Sequence, residues 1–190
     1  MTKNRNMRFF TNIMHDPDID QREIDARFEA YYRHLEAIRN RLPASAFNFA
    51  SAPWHYDDGE QGLHDSWVEA LVIEETLAGE RHNERSIQIH ARLLGAYHNR
   101  RIDLHYKNVQ KYDLFTPSRF KHPPSYKTGH GDWLYDEIDV STARFVIHRV
   151  RFSRGSRWLI ECEDIEMTAT PVKHESGDCS RTPAVANPNS

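Results

Sequence analysis

The sequence predicts an α+β domain: an N-terminal amphipathic helix packed on a mostly antiparallel sheet of hairpins. Three observations carry that expectation. Apolar residues recur at spacings of three and four from Ile24 to Leu42, the period of one helix face. Two later segments, Ser86 to Tyr106 and Phe145 to Cys162, alternate apolar and polar residues on either side of a turn, as half-buried hairpins do. The C-terminal residues from Pro171 onward turn to Pro, Ser, Asn and Ala and carry little to bury.

Taken in order, residues 1–19 show no period and end in Asp16-Pro17-Asp18, a loop signal, so they are expected to be an irregular N-terminal segment. Asp20-Gln21-Arg22-Glu23 then reads as a capping box, with the Asp20 carboxylate accepting from the Glu23 amide and Glu23 reaching back. Ile24, Phe28, Tyr31, Leu35, Ile38 and Leu42 form the helix stripe, and Pro43 ends it. Phe47-Asn48-Phe49 is a short aromatic stretch before a loop through Asp57-Asp58-Gly59. Trp67 to Glu74 reads as a buried strand, apolar on both faces at Leu71 to Ile73.

In the first hairpin a four-residue loop, Ala96-Tyr97-His98-Asn99, sets Leu93 opposite Ile102, Arg92 opposite Asp103 and His90 opposite His105. The histidine pair requires at least one neutral ring. Residues 112–131 carry no period, and 134–140 alternate weakly as a further strand. In the closing hairpin a loop at Arg154-Gly155-Ser156 would oppose Phe152 to Trp158, Val150 to Ile160 and Arg149 to Glu161. A loop one residue earlier puts Gly155 in a left-handed position but opposes Arg151 to Arg157, which favours the first register. The domain is expected to span 20–170, with about five to seven strands, and 171–190 to be a disordered tail.

Composition narrows function more by exclusion than by assignment. A formal charge of -3 argues against general affinity for nucleic acid or anionic membranes. No apolar run is long enough to span a bilayer, and none follows Lys3, Arg5 and Arg8 as a secretory leader would require. Cys162 and Cys179 make no CxxC pair and no disulfide framework, which fits a reducing cytoplasm. No P-loop, dinucleotide fingerprint, nucleophile elbow or zinc spacing occurs, so no catalytic residue, metal ligand or cofactor is assigned.

The side chains that could carry a function lie in four places. His64-Asp65 opens the first strand beside Trp67; neighbours on a strand face opposite ways, so the pair chelates one metal only if the chain bends there. His55, Asp57, Asp58 and Glu60 make the preceding segment acidic and histidine-bearing, though in no known metal spacing. Arg144, Arg149, Arg151, Arg154 and Arg157 concentrate charge on the closing hairpin, a grip for phosphate unless neighbouring Glu161 and Glu163 neutralise it. The tip Tyr97-His98-Asn99-Arg100 and the loop 121–133 mix aromatic rings with cations, the composition of protein interfaces.

The segments His64-Asp65-Ser66-Trp67, Leu93 to Ile102 and Gly131 to Glu137 resemble small bacterial proteins that carry no assigned activity. Some of these are similar to the immunity proteins of polymorphic-toxin systems, which neutralise a toxin by binding it. The resemblance covers residues 63–167 and implies a protein partner rather than a reaction. The resulting expectation is a binding module contacting its partner through residues drawn from His64, Asp65, Trp67, Tyr97, His98, Arg100, Arg154 and Arg157. A hydrolase using His64, Asp65 and His98, or a polyanion-binding arginine hairpin, are the competing expectations.

Overall fold

The computed structural model describes residues 7–11, 19–57, 59–81, 83–117 and 129–172. Helix α1 (Gln21–Ile38) begins where the sequence puts it, with Asp20 Oδ1 accepting from the Glu23 amide at 2.9 Å. The reciprocal half of the box is replaced: the Glu23 carboxylate turns outward to Arg27, one turn along, at 2.5 Å. Tyr31, Leu35, Ile38 and Leu42 are buried, and Ile24 and Phe28 pack at the margin of the same core. A 3-10 turn at Arg39–Arg41 precedes Pro43, which leads into α2 (Ala44–Ala50). The aromatic stretch is therefore helical. Ala46, Phe47, Phe49 and Ala50 are all buried, and with only Ser45 and Asn48 on its polar side this seven-residue element is too short to show its period.

Among the described residues eight strands follow: β1 (Trp67–Ala78), β2 (Glu84–Leu94), β3 (Arg100–Lys107), β4 (Lys111–Phe115), β5 (Trp133–Val140), β6 (Val146–Phe152), β7 (Arg157–Cys162) and β8 (Asp164–Pro171). They form two antiparallel sheets, β1-β2-β3-β8 and β4-β7-β6-β5. Backbone bonds run from one sheet to the other on both sides. Chain bends carry β3 into β4 and β7 into β8, and Gln110 N donates to Glu161 O (2.8 Å) and Glu163 N to Lys107 O (2.9 Å) across them. On the far side Trp67 bridges to Asp132, with Trp133 N donating to Ser66 O (3.0 Å) and Asp65 N to Trp133 O (2.8 Å). The two sheets thus make one hydrogen-bonded ring.

The first hairpin has the expected register: Leu93 faces Ile102, Arg92 faces Asp103 with an ion pair at 2.8 Å, and His90 stacks on His105 at 4.1 Å. Burial, followed by the charge on His90, lowers the His105 pKa, which keeps one ring of that stack neutral.

Three expectations need correction. β1 is no buried strand: from Val72 to Ala78 every residue is exposed, because β1 lies at the end of its sheet and projects past the core with β2. The aperiodic stretch after Tyr112 contains the end of β4, a five-residue strand too short to alternate visibly. The closing hairpin takes the other register, with Val150 opposite Trp158, His148 opposite Ile160 and Arg151 opposite Arg157. Gly155 sits at φ 76°, so the left-handed turn residue outweighed the like-charge pair. The two registers differ by an even number of residues, so the buried face is unchanged. Phe152 and Trp158 still meet, diagonally, with ring centres 4.9 Å apart.

Residues 7–11 form neither helix nor strand, yet Met7 and Phe10 are in the core. Phe10 packs among Phe28, Tyr31, Tyr56 and Tyr135. The Glu137 carboxylate holds the segment by accepting the backbone N–H groups of Arg8, Phe9 and Phe10 at 2.7, 2.5 and 2.7 Å. The free edge of β5 is closed by tyrosine hydroxyls. Ile138 N donates to Tyr31 Oη (2.8 Å), and Tyr56 Oη donates to Asp136 O (2.6 Å). The tail from residue 173 and the loop 118–128 lie outside the described residues.

Candidate functional site

Among the described residues, two constellations of chemistry-bearing side chains bear most on function, one buried and one at the surface. The buried one centres on Asp136 of β5. Its carboxylate accepts from His55 Nε2 (2.9 Å), His148 Nε2 (2.9 Å) and Trp133 Nε1 (3.1 Å). His55 Nδ1 faces Phe49 O at 2.9 Å, so both ring nitrogens of His55 meet acceptors and both carry hydrogen. His148 Nδ1 meets the Tyr106 hydroxyl at 2.9 Å, extending the chain to β3. Burial alone would raise the Asp136 carboxyl, but the His55 charge and the hydrogen bonds from both imidazoles hold it well below the usual carboxylate range. Each polar atom has a partner, and His55, Asp136 and His148 are all shut off from solvent. This network pins β3, β5, β6 and the 52–56 turn to one another.

No spacing motif announces this network. His55 was grouped with the acidic residues that follow it, but its ring turns inward instead. His148 shares the apolar face of Val146, Val150 and Phe152, and Asp136 that of Ile138 and Val140, so a polar side chain on an apolar face is the signal that marks both. Among the described residues, no group of three or more His, Cys, Asp or Glu side chains is arranged to hold a metal ion.

The second constellation lies at the seam where β1 meets β5. A cleft of about 190 Å³ is walled by Trp67, Val68, the turn from Gly129 to Asp132, and Arg154. The turn is built for close approach: Gly131 has φ 81°, and a Cβ there would stand 2.3 Å from Ser153 Oγ. Ser153 Oγ accepts from Asp132 N at 2.9 Å, and Asp132 Oδ1 accepts from Trp67 Nε1 at 2.8 Å. His98, left-handed at φ 57° in the β2–β3 loop, packs edge-on against the Trp67 ring at 4.4 Å. The indole is thereby held on two sides while 46% of the residue stays exposed. Behind the cleft, His130 packs on Phe152 (5.0 Å) and Trp158 (5.4 Å), and burial lowers its pKa.

Of the residues singled out from sequence, the fold gathers Trp67, His98 and Arg154 at this cleft, with Tyr97 beside His98 and 59% exposed. Arg100 lies at the foot of the same loop, 3.5 Å from Glu60. His64 and Asp65 precede the cleft and face each other: Asp65 is left-handed at φ 61°, and His64 Nδ1 lies 3.2 Å from Asp65 Oδ1. The bend is therefore present, but the pair meets Tyr135 rather than His98. Arg157 is engaged elsewhere, its guanidinium 4.1 Å over the Phe115 ring. Asp132, His130 and Ser153 complete the cleft. Their one sequence signal was Gly129-His130-Gly131, two glycines flanking a histidine before a strand.

The arginine hairpin does not form a single basic face. Arg149 is buried, 3.6 Å from Asp139, while Arg154 and Arg157 point to different surroundings. Among the described residues, no helix is long and apolar enough to cross a membrane.

No known family model, curated protein or solved structure matches the chain.

Proposed function

We propose that this chain is a non-catalytic protein-binding module, and that its partner docks on the face centred on Trp67. The observation that carries this reading is the half-exposed indole, locked by the Asp132 hydrogen bond and by His98. An ordered, accessible tryptophan costs little conformational entropy to bury, and such residues dominate interface energetics. Tyr97, Arg100 and Arg154 surround it with a second ring and two cations, the mixture enriched in recognition surfaces. The polar network at Asp136 lies under the core, where substrate has no route to it, which favours binding over chemistry.

Toxin neutralisation in the cytoplasm, as the resemblance to immunity proteins implies, is the specific form of this function we favour. A protein that works by occlusion needs a rigid face and no turnover. The test is parallel affinity capture with the wild-type chain and with Trp67→Ala and Arg154→Ala. The partner retained by the wild type should be lost from both variants while their circular dichroism is unchanged. A partner held equally by all three, or turnover of a small substrate that depends on His64, overturns the reading.

A further inference from the structure

We infer that the chain associates with a second copy of itself by antiparallel pairing of β1 with β1 across a two-fold axis at Ile73. Among the described residues nothing pairs with the outer edge of β1 beyond Trp67, where the bridge to Asp132 ends. The direction of its backbone groups follows from its neighbour. Gly95 N and Ile87 O of the β2 stretch bond toward β3 and Val109, so the even-numbered residues of β2 address β1. Their partners in β1 are Val72, Glu74 and Thr76, which leaves the N–H and C=O groups of Leu71, Ile73, Glu75 and Leu77 facing outward, unpaired.

The same strand exposes large apolar side chains on both faces. Val72 is 50% exposed, Ile73 41% and Leu77 52%. Edge strands are ordinarily guarded by short length, proline, charge or a bulge. β1 has twelve residues and no proline; its guards are a bulge between Val68 and Ala70 and the carboxylates of Glu69, Glu74 and Glu75.

Each of those carboxylates has a partner within the chain, Glu69 with Arg101 at 2.9 Å, Glu74 with His90 at 3.3 Å and Glu75 with Arg85 at 3.4 Å, so the edge does not repel a second copy, and their positions select the register. A two-fold axis normal to the sheet keeps like faces together, so each register is centred on one residue. Centring on Val72 opposes Glu69 to Glu75, and centring on Glu74 or Glu75 opposes each to itself. Centring on Leu71 runs into the Trp67 bridge to Asp132. With Ile73 opposite Ile73, Glu75 meets Leu71 and Glu74 meets Val72, and no carboxylate opposes another. This is the longest self-pairing free of both obstacles, running from Ala70 to Thr76. It also sets the two Ile73 side chains against each other with Leu71 of each copy diagonal to them on the same face. Trp67 stays outside the paired segment, so this association and the partner face are separable.

Sedimentation velocity of the full chain over a hundredfold concentration range tests this. A reversible dimer is expected, and Ile73→Lys should raise its dissociation constant at least tenfold while leaving circular dichroism intact. In a Cys179→Ser background, Ile73→Cys should oxidise to a covalent dimer and Glu69→Cys should not. A single-chain mass at all concentrations overturns the proposal. So does a dimer insensitive to Ile73→Lys, or one that Glu69→Cys cross-links as well as Ile73→Cys.

Discussion

Arg151 stands directly opposite Arg157 across β6 and β7. Burial lowers the Arg151 pKa, and the Arg157 charge adds to that shift, so the pair is electrostatically unfavourable. It is tolerated because the Arg157 guanidinium lies over the Phe115 ring and because this register gives Gly155 the left-handed turn position. Arg151→Ala is therefore expected to change stability by less than about 0.5 kcal/mol. The sign should be stabilising at low salt and should vanish as salt screens the repulsion. Urea midpoints at two ionic strengths check this.

Trp158, on the opposite face of the same strand, is fully buried against Phe152, Trp133 and His130. Trp158→Ala should cost about 3–5 kcal/mol. Comparison with Arg151→Ala in one denaturation series reads the two faces of the β6–β7 hairpin directly. Equal, small losses would contradict the burial.

Asp136 makes stability depend on acid. Its folded-state pKa is depressed, so it contributes stability at pH above the ordinary carboxylate range and loses it as pH falls through that range toward the folded value. Glu137 acts the other way: burial raises it, against the opposing pull of three backbone N–H groups and Arg149. Wild-type stability should fall below about pH 4, where unfolded Asp takes up its proton. Asp136→Asn should cost about 3–5 kcal/mol at neutral pH by leaving His55 without its counter-charge. It should also flatten the acid limb, as thermal melts from neutral pH downward would show.

Gly131 allows the cleft to exist. With φ at 81° and Ser153 Oγ 2.3 Å from a would-be Cβ, Gly131→Ala must displace the Ser153 side chain or the turn. A loss of about 1–3 kcal/mol is expected, together with blue-shifted or quenched Trp67 emission as its Asp132 anchor moves. Ser153→Ala, which removes the hydrogen bond without a clash, should change the emission with a smaller stability loss.

Helix α1, the 86–106 hairpin and the inward face of the closing hairpin were legible because each repeats a period over many residues. β1 was misread because an apolar run says that a strand has two apolar faces, not that the protein covers them. The register of the closing hairpin hung on one comparison, a left-handed glycine against a like-charge pair, and the backbone requirement won. At the candidate site Trp67, His98 and Arg154 stand out by composition and the 121–133 loop includes Asp132, but no pattern joins Asp132 and Ser153 to Trp67. Their role is to orient the indole through contacts between residues 65 and 21 positions apart, which local pattern does not encode. The contacts that join His55 and His148 to Asp136 escaped for the same reason.

The Glu137 cradle for Arg8, Phe9 and Phe10 has a consequence for synthesis. These partners are separated by 127 to 129 positions, so Arg8, Phe9 and Phe10 leave the ribosome long before the carboxylate that holds them. Until β5 has emerged, Phe10 has no Tyr135 to pack on and its amides have no carboxylate to bind. Contacts of such sequence separation slow folding. The nascent chain must therefore carry Phe9 and Phe10 uncovered until β5 emerges, a load that falls on whatever shields emerging chains.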